Sequence, residues 1–232
     1  YWAVWTPDNR SVIFNSLVGP ELDLWIRPAD LSQQPKRLTT TPGQLHVPMD
    51  ITSDGRTVFV GVTDGLNGKL DLHLLHLDGD GATRPLLELG GHVAQAKLSP
   101  DGRFLAYSSD NSGRFEVYVQ TFPDLGAMVR VSPNGGQEPL WSPAGDRIYY
   151  RSLNGKRVYA AEILDRDPLR LGKEELLLEG NLLPGIRWGR KWDIHPDGQR
   201  FLVFQIEGFE PPDGIRVVRN WFTELERLVP TR

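Results

Sequence analysis

"SPDGRFLAYSSDNSGRFEVYV", residues 99–119, holds a Pro-Asp-Gly turn, an apolar run, a polar turn and a second run of strand formers. Proline presets φ, aspartate bonds to nearby backbone N–H groups and glycine supplies φ > 0, so residues 100–102 read as a tight hairpin turn. The turn recurs. It appears as Thr6-Pro7-Asp8-Asn9-Arg10, Thr52-Ser53-Asp54-Gly55-Arg56, Ser142-Pro143-Ala144-Gly145-Asp146-Arg147 and His195-Pro196-Asp197-Gly198-Gln199-Arg200. The third residues of the turns, Asp8, Asp54, Asp101, Ala144 and Asp197, are spaced 46, 47, 43 and 53 residues apart. Self-similarity at that period marks a repeat architecture running the length of the chain.

Each unit divides into four short strands. In the third unit they are expected at 93–99, 104–109, 115–120 and 127–132. Second strands fall elsewhere at 12–15, 57–62, 148–151 and 201–205, rich enough in β-branched and aromatic residues to sit in a sheet. Third strands are expected at 22–27, 70–76, 157–163 and 215–218, and outer strands at 36–39, 84–89 and 175–178. Repeated four-stranded meanders of about 40 to 50 residues predict an all-β fold, a β-propeller of antiparallel blades. The units lie near 1–44, 45–91, 92–136, 137–186 and 187–219, one domain of 1–219. Residues 220–232 follow as a tail. There Asn220 caps a short C-terminal helix with Trp221, Leu225 and Leu228 on one stripe, read as a cover for one end of the propeller or as a docking helix.

The chain has 232 residues, 39% hydrophobic and 24% charged, as expected of a soluble globular protein able to bury a large core. No apolar run approaches the roughly 20 residues a membrane helix needs. Net charge is −4, with 26 basic and 30 acidic residues and no long basic block, which argues against nucleic acid as a partner. The absence of cysteine removes disulfides and thiolate chemistry, and fits a reducing or an oxidising compartment equally. Tyr1 lies inside a strand-like run, so a longer protein is expected, with an upstream strand completing the last blade.

"LWSPAGDRIYYRSLNGKRVYAAEI" (140–163) and "LSPDGRFLAYSSDNSGRFEVYVQTF" (98–122) resemble the repeats of the TolB-like, or WD-repeat-like, β-propeller family of bacteria. The tail "IRVVRNWFTELERLVPT" (215–231) resembles the end of the version found C-terminal to bacterial serine/threonine protein kinases or transcriptional regulators. This resemblance implies a sensory or scaffolding module of a larger signalling protein, outside the cytoplasmic membrane. It implies no particular activity, because propellers serve many functions. Asn9, Ser53 and Ala144 depart from the usual turn pattern.

Catalytic motifs are scarce. There is no Gly-x-Ser-x-Gly elbow, and Ser108, Ser109 and Ser112 have no evident histidine partner. His73 and His76 are three apart, on opposite faces of a strand, and read as packing rather than as metal ligands. Asp78-Gly79-Asp80-Gly81 could attract calcium but falls short of an EF-hand loop and reads as a hairpin turn. No cofactor is expected. The recurrent turn aspartates read as structural.

Loops entering the innermost strands converge on a channel mouth, where His46, Gln95, Glu138, Arg187, Trp188, Arg190 and Lys191 are the candidate ligand-binding residues. Fixed positive charge beside an aromatic platform suits a carboxylate, a phosphate or a sugar. Residues just before the innermost anchors Trp5, Ile51, Leu98, Trp141 and Ile194 are Val4, Asp50, Lys97, Leu140 and Asp193; the polar three are a candidate ionic network. Three functions stand against one another. They are a non-catalytic module that binds a protein, peptide or small ligand, a propeller-type hydrolase or lactonase using Glu138, Asp50 or Asp193 around a metal, and a module that dimerises through a blade edge or the tail helix.

Overall fold

A computed structural model describes residues 2–18, 21–65, 67–183 and 189–205. The expected third strand at 215–218 and the tail helix at 220–232 lie outside the described residues. Among those described there are strands and no helix. In the first unit β1 (Ala3–Trp5), β2 (Ser11–Val18), β3 (Glu21–Pro28) and β4 (Lys36–Arg37) pair antiparallel in chain order. The second unit follows with β5 (Leu45–Ile51), β6 (Thr57–Thr63), β7 (Asp71–His76) and β8 (Thr83–Leu87). A single parallel pairing, Leu22 with Leu45, joins it to the first. The third comprises β9 (Val93–Leu98), β10 (Phe104–Ser109), β11 (Glu116–Thr121) and β12 (Val129–Arg130). The fourth comprises β13 (Gln137–Trp141), β14 (Arg147–Arg151), β15 (Arg157–Arg166) and β16 (Leu169–Glu179); β17 (Trp192–Ile194) and β18 (Phe201–Val203) open the fifth.

Four apolar clusters weld these units together. Ile13 and Leu24 of the first unit meet Val58, Val60 and Leu75 of the second. Leu45, Val47, Met49 and Phe59 of the second meet Val93, Leu105 and Tyr107 of the third. Phe104, Ala106 and Val117 of the third meet Trp141, Ile148 and Tyr150 of the fourth. Leu140, Tyr149 and Val158 of the fourth meet Leu182, in the segment after β16, and Trp192 of the fifth. Alternation explains the pattern: Leu105 and Tyr107 point to one neighbour, Phe104 and Ala106 to the other. All six residues of β10 are buried as a result. At about 1.5–3 kcal/mol for each large side chain taken from water, these seams supply most of the driving force.

The repeated turn closes each first hairpin by one mechanism. Thr6, Thr52 and Ser99 each donate a hydroxyl hydrogen bond to the turn aspartate at 2.6 Å, and the same hydroxyls accept the N–H of Ser11, Thr57 and Phe104. Where the fourth unit has Ala144, Ser142 turns its hydroxyl to Asp146, also at 2.6 Å, so the missing carboxylate is replaced from two residues on. The device appears once more between β14 and β15, where Ser152 donates to Asn154.

The turns also lock unit to unit. A Cβ placed on Gly55, Gly145 or Gly198 would lie 3.5, 3.5 and 3.4 Å from the ring of Pro7, Pro100 and Pro143 respectively, so each proline rests on the glycine of the next unit. Gly102 has nothing within 4 Å, because the preceding turn carries Ser53 where the others carry proline.

The outer strand expected at 175–178 is longer. β15 runs on to Arg166, and the Asp167-Pro168 turn sends the chain straight back as the 11-residue β16. Gly172, Lys173, Glu174 and Glu175 are poor strand formers alone, and pairing with β15 overrides that weakness. Arg166 pins the hairpin tip to the third unit, donating to Asp101 and to the Gly145 carbonyl, both at 2.7 Å.

Ser53→Pro is expected to stabilise the protein by about 0.5–1 kcal/mol, by stiffening the unfolded chain and placing a ring over Gly102; the midpoint of urea denaturation checks it. The turn carboxylates also predict an acid response. The Thr6 and Thr52 hydroxyls, helped by the N–H groups of Arg10 and Arg56, hold Asp8 and Asp54 below the ordinary carboxylate value. A depressed folded-state pKa contributes stability that is fully present above the unfolded value, about 4, and is lost as pH falls through the folded value. Asp54→Asn is therefore expected to flatten the drop in melting temperature below about pH 4.

Candidate functional site

The inner strands pack side by side, β1 on β5, β5 on β9 and β9 on β13. Three of them carry a bulge: pairing shifts between Pro48 and Asp50 in β5, between Ala94 and Lys97 in β9, and between Gln137 and Leu140 in β13. At the bulges of β9 and β13 stand Gln95 and Glu138 with φ of 56° and 57°, a left-handed conformation that costs most residues on the order of 1 kcal/mol. Bulges of this kind re-aim a side chain. Here both turn toward neighbouring units.

Gln95 accepts the Glu138 N–H at 2.9 Å through Oε1 and donates through Nε2 to the Gly189 carbonyl at 2.9 Å, so one amide ties the third unit to the fourth and fifth. The Glu138 carboxylate is fully buried, accepts the Lys191 N–H at 2.8 Å and faces Arg151 Nη1 at 3.4 Å. Trp192 Nε1 donates to the Glu138 carbonyl at 3.1 Å. Burial pushes the Glu138 carboxyl up, against the pull of the Lys191 N–H and Arg151. Arg151, only 1% exposed, also donates to the carbonyls of Gly155 and Leu183. Glu138 and Arg151 form a structural pair deep in the seam between the fourth and fifth units.

His46 is fully buried as well. Its Nδ1 lies 3.5 Å from Asp23 Oδ1 and 3.4 Å from Thr39 Oγ1, and Asp23 accepts Arg37 Nε at 2.9 Å. Burial lowers the pKa of the His46 imidazole despite Asp23, and the ring fills the seam between the first two units. Of the seven residues placed at the mouth from sequence, His46 and Glu138 are therefore interior, Gln95 is a buried strut, and Lys191 contributes its backbone N–H. Arg187 and Trp188 lie outside the described residues. Arg190 reaches the channel.

That channel holds a cavity of about 440 Å³ lined by Trp2, Val4, Trp5, Asp50, Gln95, Lys97, Arg190 and Asp193, among others. Val4, Asp50, Lys97 and Asp193 occupy one repeat position, just before the anchors, which alternation aims inward; Leu140, at the same position, is buried in the seam to the fifth unit. Lys97 Nζ lies 2.7 Å from Asp50 Oδ1, and the Leu98 N–H donates to Asp50 Oδ2 at 2.8 Å. The expected three-residue network is thus a pair, with Asp193 apart: its Oδ1 accepts its neighbour's N–H, Ile194, at 2.9 Å. The lining tryptophans are absent from the sequence-derived ligand contacts; Lys97 is placed inward by counting back from the anchors, as part of the candidate ionic network. Arg190 Nε is buried with no hydrogen-bond acceptor among the described residues.

The remaining sequence candidates are structural. His73 meets Thr83 at 3.2 Å and His76 meets Thr57 at 3.1 Å, each through Nδ1. Asp80 accepts the Ala82 N–H at 3.0 Å and closes the β7–β8 turn. Among the described residues no group of three histidine, aspartate or glutamate side chains could hold a metal ion, and no helix is long and apolar enough to cross a membrane.

Four-stranded antiparallel units packed face to face around a channel make this a β-propeller. Its fold is similar to that of TolB from Acinetobacter baumannii, which superposes with a TM-score of 0.71 at 18% identity, over 90% of this chain and 49% of that one. The chain thus spans about half the length of the TolB structure it matches. A puromycin-hydrolysing peptidase from Mycobacterium tuberculosis matches at 0.62 and 19% identity, over 83% of this chain and 33% of its own. The periplasmic gluconolactonase of Pseudomonas aeruginosa matches at 0.50 and 22%, over 76% of this chain and 53% of its own. No protein-family model matches the sequence, and no curated protein matches it. Proteins sharing this fold thus include enzymes, and the likeness establishes the fold alone.

Glu138→Ala is expected to cost about 3–5 kcal/mol, because it leaves Arg151 buried without its carboxylate. Chemical denaturation measures this; a loss below about 1 kcal/mol would contradict the structural role.

Proposed function

We propose that this domain is a non-catalytic binding module whose channel takes a small carboxylate-bearing ligand, and that it forms the sensory or scaffolding part of a larger bacterial signalling protein. The observation that carries this reading is Arg190, a cavity-lining cation that makes no ion pair or side-chain hydrogen bond among the described residues. A carboxylate entering the cavity would pair with its guanidinium through charge-assisted hydrogen bonds. Trp2 and Trp5 supply an apolar wall beside it.

A hydrolytic role would draw on Glu138, Asp50 or Asp193. Two of these are already committed, Glu138 to Arg151 and the Lys191 N–H, and Asp50 to Lys97 and the Leu98 N–H. That commitment favours binding over catalysis. The kinase or regulator context and a position outside the cytoplasmic membrane rest on the resemblance of the tail and repeats; the periplasmic gluconolactonase with this fold is compatible with that position. For a protein partner or a second copy, β16 offers the longest of the outer edges, with Leu176 and Leu177 exposed.

Isothermal titration with 3-phenylpropanoate tests the site. The native domain is expected to bind it, and Arg190→Gln to weaken binding by about 10- to 100-fold while remaining folded by circular dichroism. Equal binding by both proteins, or none by the native one, would overturn the assignment.

A further inference from the structure

The charges lining the channel do not all remain available to a ligand. Lys97 and Asp50 neutralise one another at 2.7 Å, and the second Asp50 oxygen is held by the Leu98 N–H. Two charges are left, one of each sign. Arg190 is the cation: it helps hold the Glu138 carboxyl down at a distance but makes no ion pair among the described residues. Asp193 is the anion: exposed, with Oδ1 taken only by its neighbour's N–H and no cation within ion-pair distance among the described residues. Both line the same cavity, beside Trp2 and Trp5.

We infer that the channel ligand is zwitterionic, a free α-amino acid with a large apolar side chain, its carboxylate on Arg190, its ammonium on Asp193 and its side chain against Trp2 and Trp5. The inference rests on the carboxylate reading above and adds the second charge and the apolar group. A simple anion would leave Asp193 facing it at a cost, since like charges in a partly enclosed site repel. A ligand carrying both charges meets each wall with its complement and brings no net charge into the cavity. The indole faces add attraction for the ammonium as well as apolar contact. At about 440 Å³ the cavity falls within the range of sites for small molecules, roughly 300–1,000 Å³.

The test compares L-phenylalanine with 3-phenylpropanoate, which lacks the ammonium, by isothermal titration of the whole 232-residue chain and of Asp193→Asn. The asparagine keeps an oxygen for the Ile194 N–H, and equal melting temperatures confirm that the variant folds. L-Phenylalanine is expected to bind the native chain at least about tenfold more tightly than 3-phenylpropanoate. In Asp193→Asn that advantage should vanish, with no loss of affinity for 3-phenylpropanoate. If 3-phenylpropanoate binds through Arg190 and the amino acid binds no better, the zwitterion inference fails while the carboxylate reading stands. An advantage that survives in Asp193→Asn overturns the role of Asp193. Failure of both molecules to bind removes both readings together.

Discussion

No unit of this protein can bury its own two faces. A four-stranded antiparallel sheet presents alternate side chains to opposite sides, and here both sides are apolar, so each unit is stable only between neighbours. β10 states the constraint in six residues, every one of them buried, Leu105 and Tyr107 against the second unit and Phe104 and Ala106 against the fourth. Trp141 shows what the inner strand contributes: it packs against Phe104 of the preceding unit at a ring separation of 6.3 Å and donates to the Lys97 carbonyl at 3.0 Å. Trp5 holds the same repeat position in the first described unit and remains 57% exposed, because no described unit lies before it.

The polar chemistry is arranged around that packing. Turn carboxylates, hydroxyls and prolines hold the outer ends of the first hairpins, where water is near and local hydrogen bonds suffice. Between strands and in the seams, charge is buried and has to be matched inside the fold. Asp23 with Arg37 and Thr39, Glu116 with Arg114 and Ser132, and Glu138 with Arg151 each place an acid where a neighbouring strand supplies its donors. Such pairs add little net stability, yet they penalise any other arrangement of the strands, since a slipped register would strand a charge.

The channel differs from these seams in its charges. Arg190 makes no ion pair among the described residues and Asp193 has no cation, whereas in the seams the charges are paired even where a single donor, such as Arg151 Nε, lacks a partner. Unmatched charge of this kind concentrates where a protein receives something from outside. The tight Lys97–Asp50 pair beside them sharpens the contrast.

Much of the fold was legible in the amino-acid sequence because its signals are local. Pro-Asp-Gly turns specify their own backbone, and runs such as 104–109 alternate toward two apolar neighbours, so turn chemistry and period together yield the blade and its number of strands. The first half of β16, before the expected 175–178, escaped that reading, because Gly172, Lys173 and Glu174 join a strand only through pairing with β15. The site was less legible for the same reason. His46 and Glu138 looked like loop-borne ligand contacts, but whether a polar side chain meets solvent or a partner depends on groups far away in the chain, Asp23 and Arg151 here. The repeat, the turns and the inward positions before each anchor are written in local residue patterns. Which charges cancel one another and which face the cavity emerges on folding, because that depends on distances between units that no local pattern encodes.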